Sequence, residues 1–379
     1  MSCSLCKCRS EESEGESASR FKSALLAKGS ILIFLSSDTI VNHGWIQPLI
    51  AKISDNEKLV AIPHADNLLS DNRFYRTDDF LVNVLTWSLS TVYVDSQQKS
   101  FEMLPTSVMR GDAFAIKKSF LVAIGNFDEH MKKGGGGHHL ELSLRAWMCG
   151  GVIEVATCSR VAVHSSLRPQ HVTDPFNFRR IAELWFDEYK DVVYQQGGVS
   201  SVMSEDESRG LELRRGYLRK HTTGCKDFNW YLSSVATDVF PPSSEMKKFG
   251  KLRTKTNYCL RQTSDGGSDL EMTLCRQHMY ERLMTFEWNN EGWIFKGDEC
   301  LTAVDVDERV ELQACEEGNQ QQVWRLDEAS RFSPLTSAHE CLTQVTERDE
   351  SSLDLFHYPK LRPCGEAEER MQSWEFLHY

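Results

Sequence analysis

Apolar and polar positions switch between helical and strand periods along the first two-thirds of the chain. Phe21 to Ala27 is amphipathic and Gly29 stops it. Ile31-Leu32-Ile33-Phe34-Leu35 is an unbroken apolar run, the pattern of a parallel strand covered on both faces, and polar Ser36-Ser37-Asp38 ends it. A helix is predicted around Trp45 to Ile53 and a strand from Leu59 to Pro63. Residues 80–94 alternate loosely and predict a strand pairing with Phe114 to Ile116. Leu140 to Met148 reads as a short helix with Glu141 and Arg145 as an i,i+4 pair, closed by Gly150-Gly151, and Val152 to Val155 reads as a strand. From Pro175 to Tyr194, the residues Phe178, Ile181, Trp185, Tyr189 and Val192 make one apolar face of a helix. Residues 195–208 lack periodicity and read as loop, and Arg214 to Leu232 reads as helix. Pro241-Pro242-Ser243-Ser244 is the strongest linker signal.

Beyond that linker the pattern becomes a repeat. Cys259, Cys300 and Cys341 stand 41 residues apart and each is followed by Leu. A second cysteine follows each at Cys275, Cys315 and Cys364, and then a tryptophan in a shared setting: Phe286-Glu287-Trp288, Gln322-Val323-Trp324 and Gln372-Ser373-Trp374. A fixed period near 40 residues with short alternating strands predicts a closed three-fold β architecture. The even count and regular spacing predict the disulfides Cys259–Cys275, Cys300–Cys315 and Cys341–Cys364. The tryptophans are expected in the core. Cys3, Cys6 and Cys8 crowd the N-terminus without a nearby fourth ligand, so a zinc site there is not expected.

The 379 residues suffice for two or three domains. A net charge of −12 without a basic stripe argues against nucleic-acid binding. The clean apolar runs are too short for a membrane span, and polar Met1 to Arg20 reads as neither signal peptide nor signal anchor.

Several segments in order carry a family likeness. They are Phe34-Leu35 with Gly44-Trp45-Ile46-Gln47-Pro48-Leu49; Gly125-Asn126-Phe127-Asp128 with Met131; and Leu140 through Gly151. They continue with Cys158-Ser159-Arg160-Val161, Arg179 through Lys190, and Cys225-Lys226-Asp227-Phe228-Asn229-Trp230-Tyr231-Leu232. Together they resemble the polypeptide N-acetylgalactosaminyltransferases, and the C-terminal repeats resemble the ricin-type β-trefoil lectin module that ends those enzymes. The resemblance implies an α/β GT-A glycosyltransferase domain, incomplete here, followed by an all-β trefoil. The expected layout is a disordered tail at 1–19, a partial GT-A domain at 20–240, a linker at 241–247 and a lectin trefoil at 248–379. It further implies transfer of GalNAc from UDP-GalNAc to Ser or Thr of peptides, use of Mn²⁺, residence in the Golgi lumen and a Cys149–Cys225 disulfide. The usual partner of Cys158 in the family lies upstream; Cys3, Cys6 or Cys8 could replace it.

The same resemblance exposes departures. The family holds its metal with Asp-x-His and a later His; the first two positions here are Ser36 and Asp38, and the later one is Val163 with His164 one residue on. Asp38 and His164 are therefore the remaining metal-ligand candidates, His164 needing a bulge to face them. The family's Trp-Gly-Gly-Glu-Asn is replaced by Gly134-Gly135-Gly136-Gly137-His138-His139, read as a flexible linker that only superficially suggests a phosphate cradle. Arg110-Gly111-Asp112-Ala113 stands where the family has Ala-Gly-Gly-Leu beside the donor sugar. The residues ahead of Ser36 are too few for the strands that build the uridine site. In the trefoil, the carboxylate that sugar-binding repeats carry two residues after the first cysteine is Arg261, Thr302 or Thr343, leaving Asn319 as the carbohydrate-binding candidate. The expectation is a catalytically inactive homologue, a pseudoenzyme. The alternatives are an active transferase with an incomplete N-terminus, or a lectin acting on GalNAc-bearing glycoproteins through its trefoil.

Overall fold

The structure, a computed structural model, describes residues 15–68, 74–75, 81–95, 103–132, 134, 136–164, 173–237, 239, 241–243, 246–264, 266–275, 281–304, 309–348, 355–365 and 369–377. Cys3, Cys6 and Cys8 and the side chain of His164 lie outside the described residues. The chain divides into two compact units, one up to Thr237 and one from Asp238.

The first unit begins with α1 (Glu16–Leu26), β1 (Ile31–Leu35), β2 (Ile40–Val41), α2 (Ile46–Asp55), β3 (Leu59–Leu68) and β4 (Phe74–Tyr75). It continues through β5 (Leu81–Leu85), β6 (Thr91–Asp95), β7 (Met103–Pro105), β8 (Ala113–Lys117), α3 (Lys118–Ala123), α4 (His138–Met148) and β9 (Val152–His164). Then come α5 (Pro175–Trp185), α6 (Lys190–Gly197), α7 (Glu205–Leu218) and α8 (Phe228–Ser234). The sheet runs β1-β8-β3-β9-β2, with β4 on β3 and β7 on β9, and β3 with β9 is its parallel pair. Strand alternation sorts the two faces. Val60 and Ile62 of β3 with Phe114 and Ile116 of β8 pack in one core with Leu121 of α3 and Leu142 of α4. Leu59, Ala61 and Ala115 point the other way, against Leu49 and Ile53 of α2.

Five expectations change. α1 starts at Glu16, inside the stretch 1–19 expected to be a disordered tail, because Ser17, Ala18 and Arg20 are buried against the sheet unit. β1 is an edge strand antiparallel to β8 rather than a parallel strand, although it is packed on both faces as expected, Leu32 and Phe34 on one and Ile31 and Ile33 on the other. Residues 81–95 fold on themselves as the β5–β6 hairpin, while Phe114 to Ile116 pair with β1 and β3. The 175–194 helix breaks after Trp185: Asp187 adopts φ 43° and its carboxylate accepts the Phe228 N–H at 3.0 Å. That break lets Phe186 pack on Phe228 at 4.3 Å between ring centres. α7 begins within the expected loop, and Ser204-x-x-Glu207 closes a capping box that was present in the sequence.

A buried ion network ties α4, α5 and α7 to the 124–128 turn. Glu141 and Arg145, one per cent exposed or less, form a bidentate pair at 3.0 and 2.7 Å. Trp185 Nε1 donates to Glu141 at 3.2 Å, and Arg145 Nη1 donates to the Ile124 carbonyl at 2.6 Å. Arg180 pairs with Asp128, and Arg214 donates to the carbonyls of Gly125 and Asn126, each at 3.1 Å. Burial would raise the Asp128 pKa, but Arg214 and Arg180 hold it below the usual carboxylate range.

The second unit is β-rich with two four-residue helices, from strand Met246–Thr254 to strand Trp374–Leu377, which pair with each other and close the ends. Trp288, Trp324 and Trp374 are at most 7 % exposed. Repeats two and three each carry the same hydrogen-bond pattern. Trp324 Nε1 donates to the Leu301 carbonyl and Trp374 Nε1 to the Leu342 carbonyl, each at 2.8 Å. Gln322 and Gln372 donate to the Thr302 and Thr343 hydroxyls at 3.2 and 3.0 Å. The disulfides are Cys149–Cys225, Cys259–Cys275, Cys300–Cys315 and Cys341–Cys364, and Cys158 is an exposed thiol. Among the described residues no helix is long and apolar enough to cross a membrane.

Candidate functional site

The departures noted in the sequence converge at one place. β1 ends at Leu35, and the Ser36 N–H donates to the Asp112 carbonyl at 2.7 Å, which holds the 36–39 turn beside the 110–112 turn leading into β8. Arg110 clamps the Asp112 carboxylate at 3.1 and 2.9 Å. Arg20, one turn into α1, donates to the Gly111 carbonyl at 2.8 Å and spreads its guanidinium 5.7 and 5.6 Å from the ring centres of Phe34 and Phe114. A Cβ on Gly111 would stand 3.3 Å from His139, so the first turn of α4 closes the same corner.

Glu16 completes the cluster. Its carboxylate lies 2.5 Å from Arg20 Nη2 and 3.4 Å from His138 Nε2. Burial works against its charge, but His138, Arg20 and His139 outweigh it and lower the Glu16 pKa to about 2. Neither Glu16 nor Arg20 was singled out from sequence, although their i,i+4 spacing was a visible signal for a helix starting there. The sign gives a prediction. The folded pKa is depressed, so this stabilisation is present above about 4.5 and lost as pH falls toward 2. A thermal-melt series across that window is expected to fall more steeply for the native chain than for Glu16→Gln; identical slopes would refute the pairing.

The glycine run is fixed rather than a flexible linker where it meets α4. Asn177, 1 % exposed, accepts from the Lys132 N–H at 2.7 Å and donates to the Gly136 carbonyl at 2.9 Å. Gly137 sits at φ 80°, where a Cβ would come 2.7 Å from Ile181.

The metal candidates are placed differently. Asp38 is exposed in the turn after β1. β2 brings that turn alongside β9, pairing Ile40 with Ala162 and Val41 with Val161. The β3–β9 register is regular from Arg160 to His164, its one shift falling at Pro63/His64. Among the described residues no three His, Cys, Asp or Glu side chains gather to hold a metal. The described donors here, one exposed carboxylate and a serine hydroxyl, are fewer than the several hard oxygen and imidazole donors Mn²⁺ favours, and the side chain of His164 lies outside the described residues. In the trefoil, Asn319 caps the following turn by accepting the Gln321 N–H at 3.1 Å. Thr302 and Thr343 are 1 % exposed and donate inward to the Cys300 and Cys341 carbonyls at 3.0 and 2.8 Å.

Comparison with known proteins places this geometry. Residues 3–122 match the family described as Glycosyl transferase family 2, and residues 248–374 match the Ricin-type beta-trefoil lectin domain. Polypeptide N-acetylgalactosaminyltransferase 5 of Rattus norvegicus is 28 % identical over 98 % of this chain and 40 % of its own length. Polypeptide N-acetylgalactosaminyltransferase 13 of Homo sapiens is 32 % identical over 66 % of this chain and 47 % of its own. The chain thus spans about half the length of these relatives or less. The crystal structure of GalNAc-T7 with UDP, GalNAc and Mn2+ superimposes with a TM-score of 0.55 and 24 % identity, over 97 % of this chain and 70 % of that one. It shares the fold: a GT-A-like α/β domain followed by a β-rich trefoil region.

Proposed function

The chain belongs to the polypeptide N-acetylgalactosaminyltransferase family, and we propose that it keeps the family's architecture without its transfer chemistry. The carrying observation is the corner built by Glu16, Arg20, Arg110, Asp112 and His138. The positions that would face the donor sugar satisfy one another as internal ion pairs. A donor sugar there would have to displace the Arg110–Asp112 clamp and the Glu16 contacts. The metal position beside it offers a serine hydroxyl and the exposed Asp38. A leaving UDP would have no cation of sufficient affinity to neutralise it. The four disulfides among the described residues support residence in an oxidising compartment, in keeping with the Golgi lumen of the family's members.

The test is incubation of the full chain with UDP-GalNAc, Mn²⁺ and a Ser/Thr-rich acceptor peptide, read by mass spectrometry. No added hexosamine is expected, nor any Mn²⁺-dependent heat on titrating UDP. Time-dependent addition of GalNAc to the peptide would overturn the reading.

A further inference from the structure

Two helices start at one point. Glu16 is the first residue of α1 and His138 the first of α4; they face each other at 3.4 Å. Each helix has 11 residues, each is preceded by a glycine at positive φ (Gly15 at 92°, Gly137 at 80°), and neither start has a side-chain cap. Uncapped helix starts direct free N–H groups and about half a positive charge each toward what lies ahead of them. Two buried side chains beside Glu16 each carry one nitrogen without a hydrogen bond, although both lie within ion-pair distance of its carboxylate. Arg20 is 8 % exposed and its Nη1 has no hydrogen-bond partner; His138 is 7 % exposed and its Nε2 has none either. Both flank the Glu16 carboxylate, and the Asp112 carboxylate also acts on Arg20. Buried donors left unbonded are costly, so their persistence points to a ligand that bonds them.

We propose that the space between the starts of α1 and α4 is a phosphate site, held by Arg20 and His138, that Glu16 fills from within the chain. Arg20 presents two donors to a planar or tetrahedral oxyanion. The Gly136-Gly137 backbone, pinned by Asn177, allows close approach at the α4 start. Glu16 can leave: its side chain is 54 % exposed and Gly15 before it has no side chain to hold the backbone in place. The matching chemistry is a phosphate group, free or as a monoester on a larger molecule. Any such binding is independent of GalNAc transfer, since heat of binding and mass of product are separate readouts.

Calorimetric titration of inorganic phosphate and of O-phosphoserine into the full chain tests it. Saturable binding is expected. Glu16→Gln should tighten it at least tenfold by removing the internal competitor, and Arg20→Met added to Glu16→Gln should abolish it. If Arg20→Met fails to fold, His138→Leu in the Glu16→Gln background is expected to weaken binding at least tenfold. Tighter binding of O-phosphoserine would identify a monoester, and equal binding free phosphate, as the ligand. Glu16→Gln without any gain in affinity, or binding that survives loss of both Arg20 and His138, would overturn the proposal.

Discussion

Replacing Arg145 by Met is expected to cost the first unit about 3–5 kcal/mol, because it strands the Glu141 carboxylate in the core. Glu141 is 1 % exposed, so water cannot take over its bonds. After the change it keeps the Trp185 N–H at 3.2 Å and Arg214 at 3.6 Å, neither of which replaces a bidentate guanidinium. The Ile124 carbonyl loses its donor as well. Urea denaturation followed by tryptophan fluorescence measures the loss. The double replacement Glu141→Leu with Arg145→Met should recover most of it, since removing both charges leaves no ion unpaired. A single variant within about 1 kcal/mol of the native chain would mean that the network is solvated and the buried description is wrong.

Trp374→Ala is expected to cost the second unit a similar amount, about 3–5 kcal/mol. The indole is 2 % exposed, and its N–H bonds the Leu342 carbonyl at 2.8 Å, so truncation leaves both a cavity and an unsatisfied carbonyl. Trp324→Ala should match it, since the second repeat has the same contact to Leu301. The first repeat differs: Phe286 stands where the others have Gln, and the buried Trp288 N–H has no partner. Trp288→Phe should therefore cost less than Trp374→Phe, by roughly the 0.5–1.5 kcal/mol of one hydrogen bond. Equal losses would show that the repeats are energetically equivalent despite their sequences.

Much of this site was legible as a set of departures. Ser36, Arg110, Asp112 and His138 each stand where the family pattern has a different residue, and each contributes to the corner beside β1 and β8. The compensation was not legible. Glu16 lies in a stretch whose Ser and Glu content reads as a tail, and nothing local indicates that it would meet a histidine 122 residues later in the chain. Glu141 and Arg145 show the same limit. Their spacing revealed that they pair, but an exposed helix face and a fully buried one give the same i,i+4 pattern.

The sequence by itself determined what is periodic or local. The 41-residue cysteine spacing, the paired Cys-Leu and Gln-x-Trp positions and the alternation in β3 and β8 are set by repeat length and side-chain period. The Ser204–Glu207 capping box is set by four consecutive residues. Only the tertiary structure decided the partners across the chain. It made β1 an antiparallel edge rather than a parallel strand. It broke the 175–194 helix so that Phe186 could reach Phe228. It also brought the starts of α1 and α4 together around Arg20. Those choices turn on burying charge and aromatic surface against residues distant in sequence, and such contacts gain their energy only when the chain has closed.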